Sequence, residues 1–297
     1  MLGRLPPFDY YRPSTLQETL AIINRLDGFC LFGGGTDLLV AMKEKRGAHP
    51  PLVDVKHIPG ICNIQPENGG LKVGGGACTR VIARSPLVRE RFPLLSDALT
   101  ILGSIQIGNR ATIGGNLCNG SPAADSAPAL LSLAASVKLV GPQAERRVPL
   151  EEFFVGPKKT VLNRELLVEI HIPAAPPLGR SFFYKLGPRG APEDICIVSV
   201  GIFAVADDSA KNWKDARISL GAVAPTPIRA RQAEEALRDR PISASAIDDA
   251  ARLAAEKDGQ PITDIRGSAD YRRAMVRVLV KRGLEQIAAG IKETARS

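Results

Sequence analysis

Two glycine-rich segments about 80 residues apart hold the residues with the clearest chemical potential. The first, Gly33-Gly34-Gly35-Thr36-Asp37, has no Cβ at three successive positions. Several backbone N–H groups can then converge on an anion, and Thr36 adds a hydroxyl donor. Phosphate is the natural guest; a tight turn is the alternative. The second segment runs from Thr112-Ile113-Gly114-Gly115-Asn116 through Ser121-Pro122-Ala123-Ala124-Asp125. It is rich in glycine and small polar donors yet flanked by apolar stretches, so something should pack against it. Asp125 should open the next helix, serving there either as a cap or first-turn carboxylate or as a ligand contact.

Two separated loops argue against single-loop nucleotide sites. There is no Gly-x-Gly-x-x-Gly with an acidic residue some twenty positions on, and no Gly-Lys-Ser/Thr. A dinucleotide straddled by both loops fits better. No nucleophile, base and acid form a recognisable set, as expected where a cofactor supplies the reactive atom. The five cysteines, Cys30, Cys62, Cys78, Cys118 and Cys196, contain no Cys-x-x-Cys pair and read as reduced, mostly buried thiols. His49, His57 and His171 lie outside both glycine segments and read as structural.

The elements that must position these loops follow from periodicity. Ser14 is the expected helix cap, with Gln17 three residues on, and Leu16, Leu20 and Ile23 continue at helical spacing to about Asp27-Gly28. The apolar run 29–32 suits a strand feeding the first glycine loop, and 38–42 returns to ordered structure. Further strands are expected at 51–55, at 71–73 after the turn Asn68-Gly69-Gly70, at 137–140 and at 166–173. Helices are expected over 79–102, interrupted at Pro93, and over 125–135. Pro173 to Gly179 reads as a linker. Beyond it come strands at 181–186, 196–206 and 216–223, then helices at 229–238, 243–257 and 268–291, the order of an α+β unit. Gly201 should mark a bulge or a close approach.

At 297 residues, with 44% hydrophobic and 24% charged residues, the chain is long enough for two or three globular units. Its net charge of +8 fits an acidic protein partner, or no charged partner at all, better than nucleic acid. The basic groups (Lys43, Lys45 and Arg46; Lys158-Lys159; Arg272, Arg273, Arg277, Lys281 and Arg282) are not interleaved with aromatic residues that could stack bases. Neither a secretory signal nor a membrane-spanning apolar run is visible, so a cytoplasmic protein with no membrane span is expected.

The run Phe32 to Leu39, Thr112 to Asn116 with Ser121 to Asp125, Phe183-Tyr184-Lys185, and Arg266-Gly267-Ser268-Ala269-Asp270-Tyr271-Arg272-Arg273 together resemble the FAD subunit of the xanthine dehydrogenase and carbon monoxide dehydrogenase group. The motifs occur in the same order over nearly the whole chain. The resemblance implies an α+β protein. Its two-subdomain FAD-binding domain of the vanillyl-alcohol oxidase type would span residues 1–176, split near residue 57 into 1–57 and 58–176. A C-terminal α+β domain would span 180–292.

Carried over by motif, Leu31, Phe32, Gly33, Gly34, Gly35, Thr36, Asp37 and Leu38 would cradle the FAD pyrophosphate. Gly103, Thr112, Gly114, Gly115, Asn116 and Asp125 would line the second wall, and Leu167 would pack near the cofactor. Lys185 would approach the flavin ring, where a cation favours the anionic reduced form; a surface lysine at a strand end is the alternative. Strand alternation turns Tyr184 the opposite way.

FAD is expected non-covalently bound. A loop carrying cysteines for an extra iron-sulphur cluster, found in some relatives, is missing between Asn116 and Asp125. Because the chain stops at the flavin unit, separate polypeptides are expected: a molybdopterin-containing large subunit and a 2Fe-2S small subunit, forming a heterotrimer that discharges to NAD, quinone, ferredoxin or oxygen. The rival reading is a stand-alone flavin-dependent oxidase or reductase.

Overall fold

The protein is described from a computed structural model covering residues 5, 7–44, 49–176 and 178–294. Lys45 and Arg46 of the basic group, Pro177 of the linker, and Pro6 and residues 1–4 at the N-terminus lie outside the described residues. The first helix, Leu16–Arg25, starts one residue later than a cap at Ser14 implies. Thr15 is the cap, its hydroxyl accepting from the Glu18 amide at 3.1 Å. The Glu18 carboxylate reaches back to the Ser14 amide at 2.7 Å and hydroxyl at 3.0 Å. A carboxylate suits the positive end of the helix better than the Gln17 amide does, and this shifts the cap by one residue. At the other end, Arg164 donates to the carbonyls of Ile23, Asn24 and Leu26, closing the helix from a distant part of the chain.

A three-stranded parallel sheet follows, with Leu52–Asp54 in the centre between Tyr10–Tyr11 and Cys30–Phe32. The central strand is buried throughout, as parallel strands covered on both faces are. Its register sets Phe32 beside Asp54, so the first glycine loop leaves the carboxyl edge of the sheet.

The second sheet is antiparallel, in the order Ile64–Glu67, Gly70–Gly74, Leu166–Ile172, Ser136–Val140, Glu145–Pro149. Asn68 and Gly69 both have positive φ, 48° and 76°, which suits the tight hairpin turn between the first two strands. Leu71, Val73, Val137, Leu139 and Ile170 project into a core shared with the helical segments Thr79–Arg84, Pro86–Arg91 and Pro93–Thr100. This helical stretch breaks at Pro86 as well as at Pro93. Each proline occupies a first helical position, where its missing N–H leaves no bond unmade.

The C-terminal sheet runs in the order Arg180–Leu186, Val198–Ala206, Trp213–Gly221, Ile228–Arg229. One face carries the Ala244–Leu253 and Ala269–Thr294 helices over a core that includes Trp213, Ile218 and Leu284. The other face meets the Ser126–Ser132 helix of the first half. There Gly201 is a close approach rather than a bulge: a Cβ at that position would stand 2.9 Å from the Pro128 carbonyl oxygen. Ser132 Oγ donates to the Gly201 carbonyl at 2.8 Å and also lies 2.8 Å from Ser219 Oγ.

Candidate cofactor site

The two glycine segments meet. An added Cβ on Gly33 would fall 2.7 Å from Thr112 Oγ1, and one on Gly34 would collide with the Arg110 carbonyl oxygen. The backbones could not approach so closely with any larger residue at these positions. Gly35 has φ +74°, which only glycine adopts readily, and the Phe32 ring lies where its Cβ would be. Among the described residues, the N–H groups of Gly34, Gly35 and Thr36 have no intramolecular partner. Successive unpaired N–H groups around a positive-φ glycine form an anion-binding concavity. Asp37 is exposed, and Leu38 opens the helix Leu38–Glu44.

In the second segment Thr112 is buried and caps the short helix Ile113–Cys118, accepting from the Gly115 amide at 3.1 Å. Gly114 is pressed against Gly75, whose carbonyl oxygen would lie 2.6 Å from an added Cβ. Gly75 in turn abuts the Leu167 carbonyl, so Leu167, Gly75 and Gly114 form one close-packed row. Asn116 Oδ1 accepts from the Ser126 hydroxyl at 2.6 Å, fastening this helix to the next. Gly115 is exposed beside the half-buried first loop, leaving an open edge between the two segments.

Asp125 sits at the cap position of the Ser126–Ser132 helix but makes no capping bond. Its Oδ2 instead takes a 2.8 Å ion pair from Lys185, and its Oδ1 is buried without a hydrogen-bond partner among the described residues. Burial pushes this carboxyl up to about 6, with the Lys185 ammonium pulling the other way. Lys185 is no surface lysine: its side chain is 3% exposed, and its other donors reach the carbonyls of Ile101 at 3.2 Å and Pro192 at 2.9 Å. Gly103, with φ +61°, turns the chain two residues after Ile101. Tyr184 points the other way, exposed and stacked on Phe182.

The sequence reading overlooked three contributors. Gly75 belongs to a third glycine run, Gly74-Gly75-Gly76, which was a visible signal. Asp54 and Lys56 sit beside the first loop: Lys56 Nζ is 2.7 Å from Asp54 and 3.0 Å from the Gly33 carbonyl oxygen. Of the histidines, His57 lies 3.8 Å from Asp54 and His171 bonds to Glu67 and Glu169, neither within the glycine loops.

Unpaired amides beside a second, closely packed glycine segment form a surface suited to an anionic group; the class of protein is given by the family matches. Residues 6–175 match the family model for the FAD-binding domain in molybdopterin dehydrogenase, and residues 182–287 match that for the CO dehydrogenase flavoprotein C-terminal domain. The carbon monoxide dehydrogenase medium chain of Hydrogenophaga pseudoflava is 32% identical, over 94% of this chain and 96% of that protein. The putative xanthine dehydrogenase FAD-binding subunit of Escherichia coli is 29% identical over 94% and 96%.

Among solved structures, carbon monoxide dehydrogenase from Hydrogenophaga pseudoflava superposes with a TM-score of 0.91 at 32% identity, covering 96% of this chain and 99% of that one. Quinoline 2-oxidoreductase from Pseudomonas putida gives 0.89 at 27%, covering 97% and 99%. The chain belongs to the family of FAD-binding medium subunits of carbon monoxide dehydrogenase and xanthine dehydrogenase type molybdenum hydroxylases. It is a non-covalent FAD-binding electron-transfer flavoprotein subunit of an oxidoreductase complex.

Proposed function

We propose that this chain works as the electron relay of a three-subunit complex. A separate molybdopterin-containing large subunit would oxidise the organic substrate, and a 2Fe-2S small subunit would deliver the electrons here. NAD, a quinone, ferredoxin or oxygen would take them away. When bound, FAD supplies the capacity to accept electrons singly and release them in pairs.

In this reading the amides of Gly33 to Leu38 hold the pyrophosphate, with Leu31 and Phe32 placing the loop. Thr112, Gly114, Gly115 and Asn116 form the facing wall, Leu167 backs it, and Gly103, Asp125 and Lys185 stand at the flavin end. The single observation carrying it is the contact between two glycine loops that leaves successive amides unpaired at their junction. Lys185 would hold positive charge near the reduced flavin, and Asp125 would fix the lysine head. Charge supports the partner assignment, since a +8 chain attracts an acidic subunit. We also place the complex in the cytoplasm; among the described residues no helix is long and apolar enough to cross a membrane.

Expression alone and with the genes that neighbour it, followed by size-exclusion chromatography and stopped-flow reduction, tests this. The expected result is a yellow chain that copurifies with two further subunits and oxidises no organic substrate by itself. Rapid substrate turnover by the lone chain would favour a stand-alone flavoenzyme instead.

A further inference from the structure

Lys56 lies in neither glycine loop, yet it bonds directly to the first. The parallel register that sets Phe32 beside Asp54 also places Lys56, two residues past Asp54, alongside Gly33. Its ammonium donates to the Gly33 carbonyl at 3.0 Å, pairs with Asp54 at 2.7 Å, and stands 3.9 Å from the centroid of the Phe32 ring.

The anchor beneath it is buried and held by several donors. Asp54 is 2% exposed and receives the Tyr10 hydroxyl and the Lys56 amide as well as the Lys56 ammonium. Burial alone would raise this carboxyl; these donors together bring it below the usual carboxylate range, so it stays ionised. The other side chains with ionisable groups near it are His57, 3.8 Å away, and Arg12, which bonds to His57.

A trans peptide is planar, so its C=O and the following N–H point in opposite directions. The chain has no cis peptide bond among the described residues. By drawing the Gly33 carbonyl toward itself, Lys56 turns the Gly34 N–H away from itself. That N–H is one of the unpaired amides of the cradle. A glycine-glycine peptide resists rotation little by its own sterics, and the flipped form would aim a carbonyl oxygen at the bound anion.

We infer that Lys56 is a positioning residue for the FAD pyrophosphate, fixing the Gly33–Gly34 peptide so that a donor and not an acceptor faces the phosphates. This rests on the FAD assignment for the same loop. It predicts that orientation matters more than charge: a glutamine that can still donate to the carbonyl should preserve more affinity than a methionine.

The test measures FAD dissociation constants and apo-protein melting temperatures on the full chain for wild type, K56M, K56Q and K56R. The expected result is a rise in Kd of roughly tenfold or more for K56M, the scale of one charge-assisted hydrogen bond. K56Q should be intermediate and K56R close to wild type; the melting temperature of K56M should fall through loss of the Asp54 ion pair, so Kd is measured at a temperature where every variant is folded. Wild-type affinity in folded K56M overturns the inference, as does a loss in K56R equal to that in K56M. If K56M does not fold, the ordering of K56Q and K56R against wild type decides it on the same terms. A wild-type chain that takes up no FAD overturns the FAD assignment, and the inference with it.

Discussion

Lys185 and Asp125 meet at 2.8 Å across 60 residues of sequence, one from the first strand of the C-terminal sheet and the other from the end of the second glycine segment. Both are largely withdrawn from water. The pair therefore joins the two halves of the protein where the proposed site ends, and its removal should be felt in both stability and redox behaviour.

Replacing Lys185 with methionine leaves Asp125 buried without its cation. Stability above pH 7 should fall by about 3 kcal/mol, the scale for breaking a buried pair. The double variant K185M/D125N should recover part of that loss in denaturant titrations. FAD should remain bound with a lowered reduction potential; an unchanged potential would remove Lys185 from the flavin's surroundings.

Asp125 predicts a pH dependence of definite sign. It ionises near 3.8 when unfolded and at about 6 in the fold, because burial outweighs Lys185. Between those values the folded state keeps a proton that the unfolded state has lost, so stability falls as pH rises through this window. The contribution is fully present below about pH 4 and gone above about pH 6. Melting temperatures of D125N should lack this component, and an identical pH profile in both proteins would show that Asp125 is ionised throughout.

Glycine replacements in the loops should abolish FAD retention, but not by filling the cofactor's space. A side chain on Gly34 strikes the Arg110 carbonyl, and one on Gly114 strikes Gly75, so G34V and G114V should separate the loops from each other or from the sheet. Thr36→Val is the cleaner probe of the cradle, since it removes a hydroxyl and little volume. We expect FAD affinity to fall by roughly three- to tenfold, one hydrogen bond's worth, with the melting temperature of the apo form unchanged; equilibrium fluorescence titration would measure this.

Gly201→Ala should weaken the junction between the halves, because the new methyl group meets the Pro128 carbonyl at 2.9 Å. Ser132→Ala should leave the Gly201 carbonyl without its buried donor, at about 1–2 kcal/mol. If neither variant changes the unfolding midpoint, this contact contributes nothing to stability.

Strong local signals made much of the architecture legible in the sequence. A glycine run after an apolar strand marked the first loop, glycines and small polar donors between apolar stretches marked the second, and helical spacing located most helices. What stayed hidden depended on partners. Ile64–Glu67 carries a proline and two polar residues, so it reads as a loop; it is an edge strand held only by Gly70–Gly74. Glu145–Pro149 is exposed except at Val148 and opens with three charged residues, and it too pairs with one neighbour. At the site, Gly114 and Gly33 could be named but not their targets, because Gly75 and Thr112 come close only through tertiary packing. Lys56 gave no signal at all: a lysine after a short apolar strand looks like any solvated strand end until parallel pairing brings it to Gly33.

Arg164 has a consequence for how the protein is made. Its guanidinium closes the Leu16–Arg25 helix through carbonyls that precede it by 138 to 141 residues. A ribosome releases the first glycine loop long before it releases this arginine. During synthesis the amino-terminal helix must therefore wait, its last carbonyls open to water, until the middle of the chain emerges. The helix that precedes the first glycine loop is thus not fully closed until the middle of the chain has been made.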